Sequence, residues 1–233
     1  MAITNDSYYK YQESRAQSGY KAAILVREPS SNYYSLLVAS ETVPSVFSTQ
    51  DSFEFDLLNS PVKGKISGKI SLDDKEVEVL HHRDNVLRFH KLKDQVLDFM
   101  YVDSQFVGYK FSGKLSYRAN DATADVLRGT YTITPMSADP DPIFNVRDYI
   151  QETICFTSPI PDTVKTGEYV QISTSVDGAS LTVYDMDENG NLSASENATI
   201  SVGNSFMSTS SGLFAIEASH NDYAPWTTTI YVE

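Results

Sequence analysis

Residues Phe106 to Arg118 read FVGYKFSGKLSYR, and this stretch limits the fold more than any other. Val107, Tyr109, Phe111, Leu115 and Tyr117 fall on one side of an extended chain, and Lys110, Ser112, Lys114 and Ser116 on the other. A repeat of two is what a half-buried strand requires, whereas a helix would scatter those side chains around its axis. The same repeat recurs in SFEFDLL (52–58), where Phe53, Phe55 and Leu57 share a face, and in VKGKISGKISL (62–72), where Val62, Ile66, Ile70 and Leu72 do. KAAILVR (21–27), NYYSLLVAS (32–40), QVLDFMYVD (95–103) and DVLRGTYTITPM (125–136) read as further strands. Gly129 marks a bulge or a close approach in the last of them. The 15 Tyr and 11 Phe residues favour strands as well. The expectation is a mainly β chain.

Asp73 and Asp74 separate VKGKISGKISL from KEVEVL and predict a hairpin in which Leu72 faces Lys75 and Ile70 faces Val77. In that register Lys69 lies opposite Glu78 and Ser71 opposite Glu76, so apolar meets apolar and Lys meets Glu. One helix is predicted, in HHRDNVLRFHKLKD (81–94), with Asp84 as its cap and Val86, Phe89 and Leu92 as its apolar stripe. Its His81, His82 and His90 do not have the spacing of a known metal-ligand set. Between the early strands, Glu41 to Gln50 forms a loop without periodicity. Its Val43, Val46 and Phe47 either pack back on the domain or meet a partner.

After the break SADPDP, Ile143, Val146 and Ile150 have helical spacing, and ETICF (152–156) reads as a last strand. TSPIPDTVKTG (157–167) is rich in Pro, Thr and Gly and reads as a linker. Beyond it the segments YVQIST, SLTVYD, NATISV, GLFAIEA and WTTTIYV are short and separated by turn signals, the pattern of a small Ig-like sandwich. The divisions are therefore an arm (1–20), a first domain (21–156), a linker (157–167) and a second domain (168–233). Trp226 is expected to anchor the second core, and Cys155 to be a core residue.

YDMDENGNLSASE (184–196) matches the spacing of a calcium-binding EF-hand loop, with Asp185, Asp187, Asn189 and Glu196 at ligand positions and Gly190 at the sharp turn. Strands flank it instead of helices, and Asn189-Gly190 is a hairpin signal, so a plain turn is the first reading and a calcium loop on strands the second. The net charge of −13 excludes a protein that grips nucleic-acid phosphate through a basic footprint. A single cysteine excludes an intrachain disulfide. The polar start MAITNDSYYK and the lack of a long apolar run predict a chain without signal peptide or membrane helix. No nucleophile elbow, phosphate loop or zinc-protease motif is present, so no enzyme and no cofactor are expected.

The order of elements around VGYKFSGKLSYRANDATADVLRGTYTITPMSAD resembles the major tail, or tail tube, proteins of long-tailed, non-contractile bacteriophages. The resemblance rests on the long F-S-G-K strand, a polar loop, and a strand ending G-T-Y-T-I-T-P. A strand, a long loop, a hairpin and a single helix precede these, and the likeness extends over about residues 20–156. It implies a tail-tube-type β-sandwich or barrel with one flanking helix, followed by an Ig-like domain. It further implies stacked hexameric rings that conduct DNA during ejection, in a virion tail assembled in the host cytoplasm. The implied partners are other copies of the chain, a tape measure protein, a tail terminator, and DNA that passes without specific binding; no membrane is implied. On this resemblance Val43, Val46 and Phe47 become inter-ring contacts. Lys63, Lys65, Lys69, Lys110 and Lys114 then either pair with Glu76 and Glu78 or face between subunits. The alternative function is a two-domain β-rich surface module that binds carbohydrate, with calcium through Asp185 to Glu196 in one version.

Overall fold

A computed structural model describes residues 22–29, 31–38, 40, 43–47, 52–55, 64–67, 72–120, 127–139 and 141–233. Among the described residues the chain is mainly β with one flanking helix. The first sheet contains β1 (Ala23–Arg27), β2 (Ser35–Leu36), β5 (Lys75–Leu80), β6 (Val96–Val102), β7 (Gly108–Ala119) and β8 (Arg128–Ala138). They run antiparallel in the order β2-β1-β6-β7-β8-β5. The alternating stretch that opened the sequence reading is β7, near the sheet's middle. The sheet is open, and no closed barrel forms among the described residues.

The period of two decides what each face buries. Ile24, Val26, Val77, Val79, Phe99, Phe111, Leu115, Tyr131 and Ile133 point into the main core. Leu25, Met100 and Val102 point the other way, where Tyr34, Val146, Ile143 and Ile150 cover them. Because β1 is covered on both faces, its sequence is a continuous apolar run rather than an alternating one. Gly129 is a close approach, since a Cβ there would lie 2.2 Å from the Tyr117 hydroxyl oxygen. The register shift between β7 and β8 sits elsewhere, at Ser112 and Gly113.

β3 (Ser52–Phe55) pairs with β4 (Gly64–Ser67) in a separate two-stranded ribbon. Lys69, Ile70 and Ser71, the predicted first strand of the hairpin across Asp73–Asp74, lie outside the described residues, as do the arm (1–20) and Lys63. β5 takes β8 as its described partner, and Glu78 pairs with Arg128 at 3.6 Å. The helical spacing of Ile143, Val146 and Ile150 is not a helix. It resolves into bridges of Ile143 to Gly108 and Ile150 to Tyr34, with a 3-10 turn at Arg147–Tyr149 between them. Pro142 and the covering role of the segment favour extended chain over a helical turn here.

The second domain is a two-sheet sandwich. One sheet orders β10 (Val170–Gln171), β14 (Ser205–Ser208) and β13 (Ala198–Ser201) as β10-β14-β13. The other runs β12 (Leu192–Ala194), β11 (Ser180–Met186), β15 (Gly212–His220), β16 (Tyr223–Val232) and β9 (Thr163–Val164). Phe206, Phe214, Ile216, Ile230 and Val232 fill the space between them. Residues 157–167 are not a free linker. β9 pairs in parallel with β16, and Val164 is buried in the second core with Phe156 and Ile160 packed beside it. The Pro and Thr content that reads as a linker is tolerated because a two-residue edge strand needs few ladder bonds. No helix among the described residues is long and apolar enough to cross a membrane.

Candidate functional site: the seam between the two sheets

The helix α1 (Arg83–Leu92) lies between the first sheet and the second domain. His82, in extended conformation, is its cap, and its Nδ1 accepts the Asp84 amide at 3.3 Å. Asp84, expected to be the cap, stands one turn-position inside the helix and reaches across to β16. Its carboxylate accepts from the Thr228 hydroxyl at 2.9 Å and from the Thr229 amide and hydroxyl, both at 2.8 Å. Three donors on one half-buried carboxylate make a charge-assisted anchor. On the helix's other side, Leu92 is buried in the main core and Phe89 packs on Tyr117 and Tyr131. The Tyr131 hydroxyl donates to the Asn85 carbonyl, and burial pushes that hydroxyl's pKa far above its ordinary value. The apolar stripe therefore runs through Leu92 and Phe89 as read. Leu87, which the periodicity left out, is buried too, while Val86 lines a cleft.

The rest of the second-domain face is polar. The His82 Nε2 lies 3.0 Å from an Asp162 carboxylate oxygen, and Arg83 donates to the Asp162 carbonyl at 2.9 Å. Lys91 donates to the Thr227 hydroxyl at 3.1 Å and stands 3.7 Å from Glu217. Arg88 turns back to the first domain, where it pairs with Glu28 and donates to the Leu36 carbonyl at 3.4 Å, while its guanidinium stands 5.6 Å from the centre of the Trp226 ring. Trp226 is thus half-buried on the seam instead of anchoring the second core.

A backbone ladder joins the domains a second time. Gln151 donates to the Tyr34 carbonyl and Tyr34 to that of Tyr149, at 2.9 and 2.8 Å. On the opposite side Ala224 donates to the Glu152 carbonyl at 2.8 Å and Ile154 to that of Ala224 at 3.0 Å. The ETICF segment is an extended stitch between β2 and β16 and not a strand of either sheet. Cys155, expected in a core, is exposed, while the adjacent Ile154 is the buried residue, as side-chain alternation along extended chain requires.

Between α1 and the tip of the β11–β12 hairpin opens a cleft of about 700 Å3, which brings the three histidines near the expected calcium loop. They do not converge. His81 bonds the Tyr117 hydroxyl, His82 bonds Asp162, and the His90 ring lies against Gly190. The loop itself is a hairpin tip. The Asp187 carboxylate accepts from the Asn189 amide at 2.9 Å and from the Asn191 amide and side chain at 2.8 Å each. Gly190 supplies the turn at φ 81°. The Asn191 side chain, then its amide, hold the Asp187 carboxyl below the usual carboxylate range. Asp185 sits on β11 and accepts from the Ser195 hydroxyl at 2.7 Å. Among the described residues no three His, Cys, Asp or Glu side chains are grouped to hold a metal ion.

Val43, Val46 and Phe47 pack on their own domain. Val46 is fully in the main core, Val43 rests on it, and the Phe47 ring stands 5.4 Å edge-on from Tyr109. The seam contacts of Asp84, Asp162, Glu217, Thr228 and Thr229 escaped the sequence reading. For Asp162 and Glu217 the signal that points to them is charge: residues 160–233 carry 10 Asp and Glu against one Lys, and α1 carries Arg83, Arg88 and Lys91. No family model matches the chain, and no curated protein matches it.

Proposed function

We propose that the protein is a structural subunit that assembles with copies of itself into stacked rings, as the tail tube subunit of a long-tailed, non-contractile bacteriophage. The observation that carries this reading is the architecture: one six-stranded antiparallel sheet with a flanking helix, in the element order that the resemblance implies. Leu80 and Leu127 expose large apolar side chains at the end of β5, a surface that contact between identical copies would cover. An acidic chain also suits a conduit, because each phosphate it neutralised would hold the passing DNA. The backbone ladder and the Asp84 anchor tie the second domain to the first within each subunit. Val46 is buried in the subunit's own core, which leaves the partly buried Val43 and Phe47 as the candidates for contact between rings.

Negative-stain electron microscopy of the full-length protein over a concentration series tests the proposal. Rings or tubes with a central channel are expected. Small separate particles at every concentration, with tail partners added as well, would overturn it.

A further inference from the structure

The stitch between the domains forms the floor of a second groove. It measures about 390 Å3 and is lined by Tyr33, Gln151, Glu152, Asn221, Asp222 and Tyr223, with Ile150 beneath. That volume lies within the roughly 300–1,000 Å3 of small-molecule sites. Tyr33 comes from the first domain, Asn221 to Tyr223 from the β15–β16 turn of the second, and Gln151 and Glu152 from the stitch between them. The backbone beneath is bonded on both sides, to Tyr34 and to Ala224, so the groove is held open before anything binds.

The lining has a recognisable chemistry. Tyr33 is 48% exposed, and its ring offers a flat apolar face with a hydroxyl at its rim. The Tyr223 ring is fixed edge-on against His220 at 5.4 Å. The side chains of Gln151, Glu152 and Asn221 make no hydrogen bond to other described residues, so two amides and a carboxylate are free to engage a ligand. Asp222 stands 3.9 Å from His220 and is otherwise open to solvent. No Lys or Arg lines the groove, which disfavours phosphate, sulfate or carboxylate ligands beside two acidic side chains. Amides and carboxylates at short spacing match the donor and acceptor pairs of neighbouring hydroxyl groups, and a tyrosine face matches the C–H face of a pyranose ring.

We propose that this inter-domain groove binds an uncharged saccharide, with Tyr33 as the stacking platform and Gln151, Glu152 and Asn221 reading the hydroxyls. The site is complete in one chain and does not rest on ring assembly. It places a saccharide contact at the junction of the domains, away from the acidic hairpin tip of the calcium-dependent alternative.

The test is a glycan array probed with full-length protein, printed with neutral hexose, deoxyhexose and N-acetylhexosamine oligosaccharides and with sialylated and sulfated ones. The strongest neutral saccharide is then titrated calorimetrically. Binding to neutral saccharides is expected, unchanged by a calcium chelator. Tyr33→Ala and Asn221→Ala should each weaken it by about tenfold or more, as loss of a stacking face or a shared hydrogen bond does. Both positions are exposed, so the variants should unfold at the wild-type temperature. Tyr169→Ala, exposed elsewhere on the second domain, should bind like wild type. A blank array, binding to anionic glycans alone, or undiminished affinity in both groove variants would each overturn the proposal. None of these results bears on rings in the microscope, so the two readings fail separately.

Discussion

α1 meets the first sheet and the second domain through opposite kinds of surface. Toward the first sheet it presents Leu92 and Phe89 to an apolar core, with hydrogen bonds around its margin: Tyr131 to the Asn85 carbonyl, Asn85 to the Leu80 carbonyl, and Arg88 to Glu28 and the Leu36 carbonyl. Toward the second domain it presents Asp84, His82, Arg83 and Lys91 to Thr228, Thr229, Asp162 and Glu217. Area removed from water chiefly holds the first contact, and charge screening leaves that part untouched. Geometry and charge hold the second, so it depends on each partner being present. A ten-residue helix can therefore belong to one domain by burial and dock another by hydrogen bonds, and the two attachments should respond to different perturbations.

The largest effect is expected on the apolar side. Leu92→Ala empties a fully buried position and should cost about 2–5 kcal/mol of stability, read from urea denaturation. The loss should be the same at low and high salt. A salt-dependent loss would show that the apolar contact is not what holds α1 to the first sheet.

Asp84→Ala attacks the other side. It leaves the Thr229 amide and two threonine hydroxyls without their acceptor in a half-buried seam, a cost of about 2–3 kcal/mol. Hydrogen exchange should accelerate at Thr229, while the amides of β7 keep their protection. Asp84→Asn retains an acceptor oxygen and should cost less. If exchange at Thr229 does not change, the backbone stitch through residues 150–154 holds the second domain by itself, and the helix is only a spectator on that face.

Lys91→Ala gives a smaller effect. Its contact with Glu217 is partly exposed on both sides, so the loss should be about 0.2–1 kcal/mol and fade with added salt. A Lys91 effect that persists at high salt would assign the energy to the Thr227 hydrogen bond or to packing of the lysine stem on Trp226's neighbourhood rather than to charge.

The difference between the two attachments also explains what could be read from the sequence. Burial leaves a period, so β7, β6, β8, the helix and the strands of the second domain were legible from alternating residues. Leu92 and Phe89 were legible for the same reason. Polar docking leaves no period: nothing local distinguishes Asp84 as an anchor for Thr229, 145 residues away, from Asp84 as a helix cap. Leu87 was missed because it lies off the Phe89–Leu92 stripe, toward the second domain, and the reading allowed one stripe. The 157–167 segment and the ETICF stitch were misread because their order comes from β16, β2 and Ala224, contacts remote in sequence. The groove at Tyr33 was invisible for a related reason, since its wall is assembled from three separated stretches.

The smallest expected effect concerns the hairpin tip facing α1 across the cleft, and it reports on whether that tip is a self-contained turn. Asp187 is fully exposed, and its carboxyl is held below the ordinary range by Asn191 and the loop amides. A carboxyl with a depressed folded pKa contributes its stabilisation fully above the unfolded value, near pH 4, and loses it as pH falls through the folded pKa. Carboxyl-detected NMR titration should therefore place Asp187 below the ordinary aspartate range, and Asn191→Ala should raise it toward the ordinary value. Loosening of the β11–β12 tip at low pH should follow the same titration while the Asp84 anchor is monitored separately at Thr229. Were calcium to shift the Asp187 carboxyl signal at millimolar concentration, the turn would be doing more than holding itself, and the polar side of the cleft would have to include an ion. Were Asp187 to titrate at the ordinary value with Asn191 intact, the tip would owe its shape to Gly190 and the strands alone.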